Sequence, residues 1–267
     1  MSRTLPPLDL HAHIELGIAP RQLEQLGAVV FAATRSADEF ERTTHRADRV
    51  TVWGLGCHPA VASAQAEFDD ERFAELMRNT PFLGEVGLDG AARIDMETQV
   101  RIFRSILARA ARTPRIVSVH SKRATSRVLD LVEESQASGI VLHWWLGSES
   151  ETRRAVRLGC LFSVNRSMDC VRLCHAGVPL DRLLPETDHP AGNRRGSGLK
   201  QPGWTLDVEG AVADAYALTP EDVRTRFWHT LAGLARSFYL DDLFPRPVRA
   251  MLEAARQQAI VPPEGQA

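Results

Sequence analysis

The sequence predicts an α/β protein, a (β/α)8 TIM barrel with additional C-terminal helices. Short apolar, β-branched runs alternate with longer stretches of helical periodicity along most of the chain, and eight such runs can be counted. A length of 267 residues and a mass of 29.6 kDa suit a barrel of that kind. The chain is read as one domain over 1–267, with a tail at about 259–267.

In chain order the strand candidates are "LDLHAH" (8–13), "AVVFAAT" (28–34), "VTVWGLG" (50–56), "PFLGEVG" (81–87), "RIVSVHS" (115–121), "IVLHWW" (140–145), "LFSVN" (161–165) and "RLLPETD" (182–188). The stretches 96–111 and 124–137 repeat apolar residues at three- and four-residue steps and are expected to be helices. After the last strand, 189–203 is rich in Gly, Pro and basic residues and reads as a long loop. Helices at about 205–217 and 219–237 are expected outside the barrel, and "VPPEGQA" as a frayed end.

With 44% hydrophobic and 25% charged residues the chain can build a large core and solvate its surface. No apolar run approaches the roughly 20 residues that span a bilayer. "MSRTLPPLDL" lacks the apolar segment of a secretory signal, so a cytoplasmic protein is expected. The net charge of −2 excludes a strongly basic protein that coats nucleic acid, but not a local cationic groove. Cys57, Cys160, Cys170 and Cys174 form no C-x-x-C pair and are expected to be reduced thiols, mostly buried.

If 8–13 is a strand, alternation puts Asp9, His11 and His13 on one face at its C-terminal end. Two imidazoles placed so can bind a divalent metal or pair with backbone groups. Other strand ends narrow the choice. "FLGEVGLD" buries Glu85 in an apolar run, and "IVSVHSKRA", "IVLHWWLG" and "RLLPETDHP" carry His120, His143 and Asp188. In a barrel all of these face the catalytic mouth. Buried carboxylates and imidazoles need partners, and a shared metal supplies one to each.

"LDLHAH", "GLGCHPA", "GEVGLDG", "VSVHSKRA", "VLHWWLGS" and "PETDHP", in this order, resemble the signature motifs of the TatD-related metal-dependent nucleases of the amidohydrolase superfamily, over about residues 8–235. The resemblance implies a deoxyribonuclease with two divalent ions, acting on DNA and trimming its single-stranded ends. His11, His13 and Asp188 are then expected to hold one ion and His120 and His143 the other, with Glu85 bridging. Asp188 is the candidate to deprotonate the attacking water, and with Glu85 it carries the catalysis. The donor set permits Zn²⁺, Mn²⁺, Fe²⁺ or Ni²⁺ and admits Mg²⁺.

The resemblance implies a substrate-phosphate contact for His58 and for the basic residue Lys122. Arg123, like Arg194, Arg195 and Lys200 of the long loop, either meets phosphate or is solvated. Asp9 either orients a metal ligand or caps the strand start, and one of Trp144 and Trp145 could stack on a base. Gly90 and the run Trp144, Trp145, Leu146, Gly147 stand where the family usually has an aromatic and Cys-Phe-Ser-Gly, which alters the walls and spares the ligands. "HSKRA" with "LHWWLGS" and "FSVN" is similar to TatD-type members of Qat-type anti-phage gene sets, which would imply protein partners in a defence system. Two other readings stay open: a hydrolase of another ester or amide, and a metal-bearing interaction subunit with little turnover.

Overall fold

Eight parallel strands alternate with helices among the residues that the computed structural model describes, 4–192 and 201–258. The strands are β1 Leu8–Ala12, β2 Val29–Ala33, β3 Thr51–Gly54, β4 Phe82–Gly87, β5 Ile116–His120, β6 Ile140–His143, β7 Leu161–Val164 and β8 Leu183–Pro185. All eight expected runs form strands, most of them shorter at the C-terminal end than the apolar pattern suggested. There the chain leaves the ladder and turns its polar residues into the barrel mouth.

Four short helices come first: α1 Pro20–Glu24, α2 Ala37–Glu41, α3 Ala62–Ala66 and α4 Asp70–Met77. Then follow α5 Met96–Arg112, α6 Thr125–Ser135, α7 Glu149–Arg157, α8 Cys170–His175, α9 Leu206–Tyr216, α10 Pro220–Ser237 and α11 Arg246–Gln257. Local chemistry explains their starts. Asp95 accepts from the Thr98 N–H at 2.8 Å at the head of α5, Ser148 and Glu151 form a reciprocal capping box on α7, and Pro220 opens α10 behind Thr219. α5 buries Val100, Phe103, Ile106, Leu107 and Ala110 at the steps that the pattern predicted. α11 was not expected from the sequence. Its apolar side is only Val248, Leu252 and Ala255, diluted among arginines, and Arg256 ties it to the Ala232 carbonyl of α10 at 3.2 Å.

The strands pair as β1-β2-β3 and as β4 through β8, and two seams close these ladders into a barrel. At one seam Leu55 donates to Phe82 O at 3.1 Å and Gly84 donates to Leu55 O at 2.8 Å. At the other, just past β8 and β1, Asp188 donates to His11 O at 2.8 Å and His13 to His189 O at 2.9 Å. The second seam is therefore made by the site residues themselves. Between barrel and helices lies one large apolar core in which Phe31, Phe82, Phe103, Phe162, Phe227 and Trp228 are fully buried.

The four cysteines carry no disulfide; Cys57, Cys160 and Cys170 are buried, and burial pushes the Cys57 thiol up to about 12. Among the described residues no helix is long and apolar enough to cross a membrane. Arg194, Arg195 and Lys200, and the tail 259–267, lie outside the described residues.

The close approach of the chain just past β3 to the end of β2 depends on a missing side chain. A Cβ on Gly56 would lie 1.7 Å from the Thr34 carbonyl oxygen, a contact that only backbone movement could relieve. Gly56→Ala is expected to destabilise the fold by about 2–3 kcal/mol, read as a lower urea midpoint at unchanged slope. A wild-type midpoint would show that the two strand ends can move apart without cost.

Candidate metal centre

Glu85 stands at the middle of the barrel mouth, 2% exposed, on β4. Its two oxygens face different histidines. Oε1 lies 2.7 Å from His120 Nδ1, 3.3 Å from His58 Nε2 and 3.4 Å from His143 Nε2. Oε2 lies 3.0 Å from His13 Nε2 and 3.9 Å from His11 Nε2. Asp188 closes the cluster from beyond β8, its Oδ1 3.9 Å from both His11 and His13 Nε2.

Every expected ligand is thus brought to one place. Donor atoms of three overlapping sets, His11, His143 and Asp188; His11, His13 and Glu85; and His58, Glu85 and His120, each lie within 4.8 Å of one another. The interleaving has a visible cause. His11 and His143 stack ring on ring, 4.1 Å between centroids and 6° apart, although they come from β1 and β6.

Each imidazole is aimed by its outer nitrogen. His13 Nδ1 meets the Ala33 carbonyl at 3.0 Å, so it must donate there and present a bare Nε2 inward. His120 is turned round: its Nε2 meets Asp89 Oδ2 at 3.1 Å, which leaves Nδ1 for the centre. His11 Nδ1 contacts Ser118 Oγ at 2.7 Å. His58 is the exception. Its Nδ1 accepts the Ala60 N–H at 2.9 Å, which puts the ring proton on Nε2 and makes this histidine a donor into the site.

His143 Nδ1 lies 3.4 Å from Glu186 Oε2. Three of these supporting residues, Ser118, Asp89 and Glu186, are not anticipated from the sequence, although alternation offers a signal. Glu186 and Asp188 are two apart, as Asp9, His11 and His13 are, and so share a face. Asp9 touches no imidazole. It accepts from Thr187 N at 2.8 Å, from Thr187 Oγ1 at 2.6 Å and from Gly203 N at 2.7 Å, and so clamps the segment before Asp188.

The electrostatics shows what the cluster lacks. Burial pushes Asp188 up to about 7, with the nearby Glu186 and Glu85 adding to the rise against the pull of His143. Burial also raises Glu85, but His58, His120 and His13 outweigh it and hold that carboxyl well below its usual range. Burial drives His11 well below the ordinary histidine value, with His143 adding to the fall. His11 Nε2 and Glu85 Oε2 are buried 3.9 Å apart without a hydrogen bond among the described residues. A neutral nitrogen and a carboxylate oxygen pointing at one another without such a bond fit a divalent cation.

A cavity of about 690 Å³ opens over the cluster. One wall carries Lys122 and Arg123, both exposed; the other carries half-buried Trp144 and Leu146, which is 63% exposed. Trp145 turns away, buried, with its indole N–H on Thr152 Oγ1 at 2.9 Å. Gly90 leaves room for the β5 turn, since a Cβ there would lie 2.6 Å from the Arg123 carbonyl oxygen. Arg123, Trp144 and Asp188 all adopt positive φ, 53°, 39° and 41°. Non-glycine residues held so are strained, and these three line the mouth.

The family model "TatD related DNase" matches residues 8–234. The chain belongs to the TatD-related DNase family. Among curated relatives, human "Deoxyribonuclease TATDN3" is 24% identical over 249 residues, covering 81% of this chain and 89% of that protein. "3'-5' ssDNA/RNA exonuclease TatD" of Klebsiella pneumoniae strain 342 is 31% identical over 205 residues, 67% of this chain and 78% of that one. The crystal structure of the TatD homologue YjjV from Escherichia coli K12 superposes with a TM-score of 0.73 at 20% identity, covering 88% of this chain and 98% of the other, which confirms the barrel. The chain is accordingly a TatD-type metal-dependent hydrolase.

For this TatD member, chelator-treated protein is expected to gain stability on metal addition. At a hundredfold excess over Kd, Mn²⁺ or Zn²⁺ should add about 2.7 kcal/mol, a Tm rise of about 5–10 °C for a chain of this size. Glu85→Gln should remove most of that rise, and an equal rise in the variant would show that Glu85 holds no metal.

Proposed function

We propose that the chain is a metal-dependent deoxyribonuclease that hydrolyses phosphodiester bonds of DNA at single-stranded ends. One observation carries the reading: a single buried carboxylate, Glu85, divides its oxygens between His11 with His13 and His120 with His143, and Asp188 faces it. That is a donor set for two cations, one on each side. His11, His13 and Asp188 would hold one and His120 and His143 the other, with Glu85 shared; nitrogen and oxygen donors together suit Zn²⁺ or Mn²⁺ and admit Mg²⁺. Divalent ions bound there would acidify a water and offset charge on the attacking and leaving oxygens of a phosphodiester.

The chain's own residues do the rest. Asp188 turns Oδ1 toward His11 and His13, which leaves Oδ2 to take the proton of the attacking water. His58, with its proton on Nε2, donates to a phosphoryl oxygen rather than binding metal. Lys122, exposed on the cavity wall, attracts the backbone phosphates, and Arg123 beside it adds charge. Arg195 of the following loop, which lies outside the described residues, is assigned a substrate-phosphate contact from the sequence alone. Trp144 and Leu146 offer an apolar face that an unpaired base can cover and a base pair cannot, which supports single strands over duplex. The names of the human and Klebsiella relatives agree with a nuclease. The resemblance of "HSKRA" with "LHWWLGS" and "FSVN" to Qat-type members extends the reading to anti-phage defence with protein partners.

End-labelled single-stranded and duplex DNA, incubated with the protein and Mg²⁺, Mn²⁺ or Zn²⁺, should be shortened only with metal and faster when single-stranded. Asp188→Asn should lower the rate by about 10²–10⁴-fold. No cleavage of any nucleic acid by metal-loaded protein would remove the nuclease reading and bring forward another ester or amide, or a subunit that awaits its partner.

Two wall variants separate recognition from chemistry. Trp144→Ala should weaken single-strand binding by about 1–3 kcal/mol with kcat little changed. Lys122→Ala should flatten the dependence of log K on log salt by about 0.7. An unchanged slope would leave Lys122 a solvated surface residue.

A further inference from the structure

We propose that Glu186 is a positioning residue that fixes the ring proton of His143 on Nδ1 and thereby reserves Nε2 as a metal donor; this rests on the metal-dependent reading above. Glu186 is wholly buried, one residue beyond β8, and does not line the catalytic cavity. Its carboxylate collects groups from two other strand ends. Oε1 accepts from the Trp144 backbone N–H at 3.1 Å and from Asn165 Nδ2 at 3.0 Å. Oε2 accepts from the Ser163 hydroxyl and lies 3.4 Å from His143 Nδ1.

The chemistry of these partners leaves His143 one arrangement. A backbone N–H and an amide NH₂ only donate, and Ser163 donates as well, so every neighbour treats Glu186 as an acceptor. His143 Nδ1 is buried without a hydrogen bond of ordinary length, and its one ion-pair contact is with Glu186 Oε2. Both ring nitrogens lie 3.4 Å from a buried carboxylate oxygen, Nδ1 from Glu186 Oε2 and Nε2 from Glu85 Oε1, but only Glu85 is shared with the other candidate metal donors. With a cation on Glu85, Glu186 is the carboxylate left to take the ring proton, so Nδ1 carries it and the neutral ring presents a bare Nε2 to the centre. Supporting carboxylates commonly act on metal-binding histidines in this way.

Glu186 does a second thing at once. By accepting from Trp144 N it also holds the strained turn, φ 39°, that sets the indole into the cavity wall. The ligand His143 and the apolar wall next to it are therefore fixed by opposite oxygens of one side chain.

Glu186→Gln tests this with almost no change of volume. The amide oxygen can keep Trp144 N and Asn165 Nδ2, and Ser163 can rotate its hydroxyl to accept. The amide NH₂ then faces His143 Nδ1, which must become the acceptor, and the ring proton moves to Nε2, where it blocks coordination. The experiment uses full-length protein with ¹⁵N-labelled histidine, loaded with Zn²⁺ and freed of excess. In the wild type, His143 should show a protonated Nδ1 and a bare, zinc-shifted Nε2. In the variant that signature should vanish, and affinity for one of the bound ions should fall by about 10–100-fold while the other stays bound. Ser163→Ala, which removes a bond to Glu186 but leaves its carboxylate facing His143 Nδ1, should keep the wild-type signature and so separate packing from tautomer control.

Wild-type zinc affinity and an unchanged His143 signature in Glu186→Gln would overturn the proposal and leave the metal reading intact. A protonated Nε2 at His143 in the zinc-loaded wild type would overturn it even if the variant did not fold. A wild type that takes up no zinc or manganese would overturn the metal-dependent reading, and this assignment with it.

Discussion

A carboxylate buried among imidazoles at the mouth of a parallel barrel is the constraint on which the rest of this molecule depends. Glu85 is 2% exposed and sits within 3.4 Å of four histidine nitrogens. In an apolar strand an unpaired charge of this kind would be very costly. It is tolerated because four neighbouring strand ends turn polar atoms toward it. Those polar ends would in turn be untenable without Glu85 or a cation, so strand pairing and site assembly are a single requirement. The second seam makes this concrete, since the hydrogen bonds that close it belong to His11, His13, Asp188 and His189.

Around that centre the protein controls which atom of each imidazole looks inward. Ala33 O, Asp89, Glu186 and the Ala60 N–H each occupy an outer nitrogen, and acceptors there give a different result from a donor. His13, His120 and His143 face acceptors and are left with lone pairs directed at the centre. His58 faces a donor and is left with a hydrogen. Four histidines thus divide into three whose inward nitrogen suits a cation and one whose inward N–H suits an anion. Their assignment does not depend on their distance from Glu85, which is nearly the same for His58 and His143.

Much of this was legible in the sequence because it obeys short periods. Alternation within "LDLHAH" puts His11 and His13 on one face, and apolar runs followed by Glu85, His120, His143 and Asp188 mark strand ends without any knowledge of their partners. Other features depend on contacts between distant parts of the chain. Asp9 could not be read as a clamp, because Thr187 and Gly203 are 178 and 194 residues away. Ser118 lies in the middle of an apolar strand, where a small hydroxyl carries no signal until His11 is seen against it. α11 escaped because its buried side is narrow and α10 supplies the missing surface. Glu186 was within reach, two residues from Asp188, but "PETD" was read for its last residue.

The departures from the family pattern fall on the walls, yet walls and ligands are not independent here. Trp144 follows His143 directly, and Glu186 holds the backbone of the one and the outer nitrogen of the other. A change in the loop after β6 that relaxed the positive φ of Trp144 would release Glu186 Oε1 and shift the carboxylate against Ser163 and His143. A substitution in this loop keeps the Glu186 contact only if it still presents a backbone N–H at position 144 in that turn. The run Trp144 to Gly147 meets the condition with bulk. Trp145 is anchored on Thr152 and set edge-on to Phe162, and Gly147 leaves its indole room, so the turn is braced from behind while Trp144 and Leu146 face the cavity. Substrate preference can change along this wall only as far as that brace and the Glu186 contact allow.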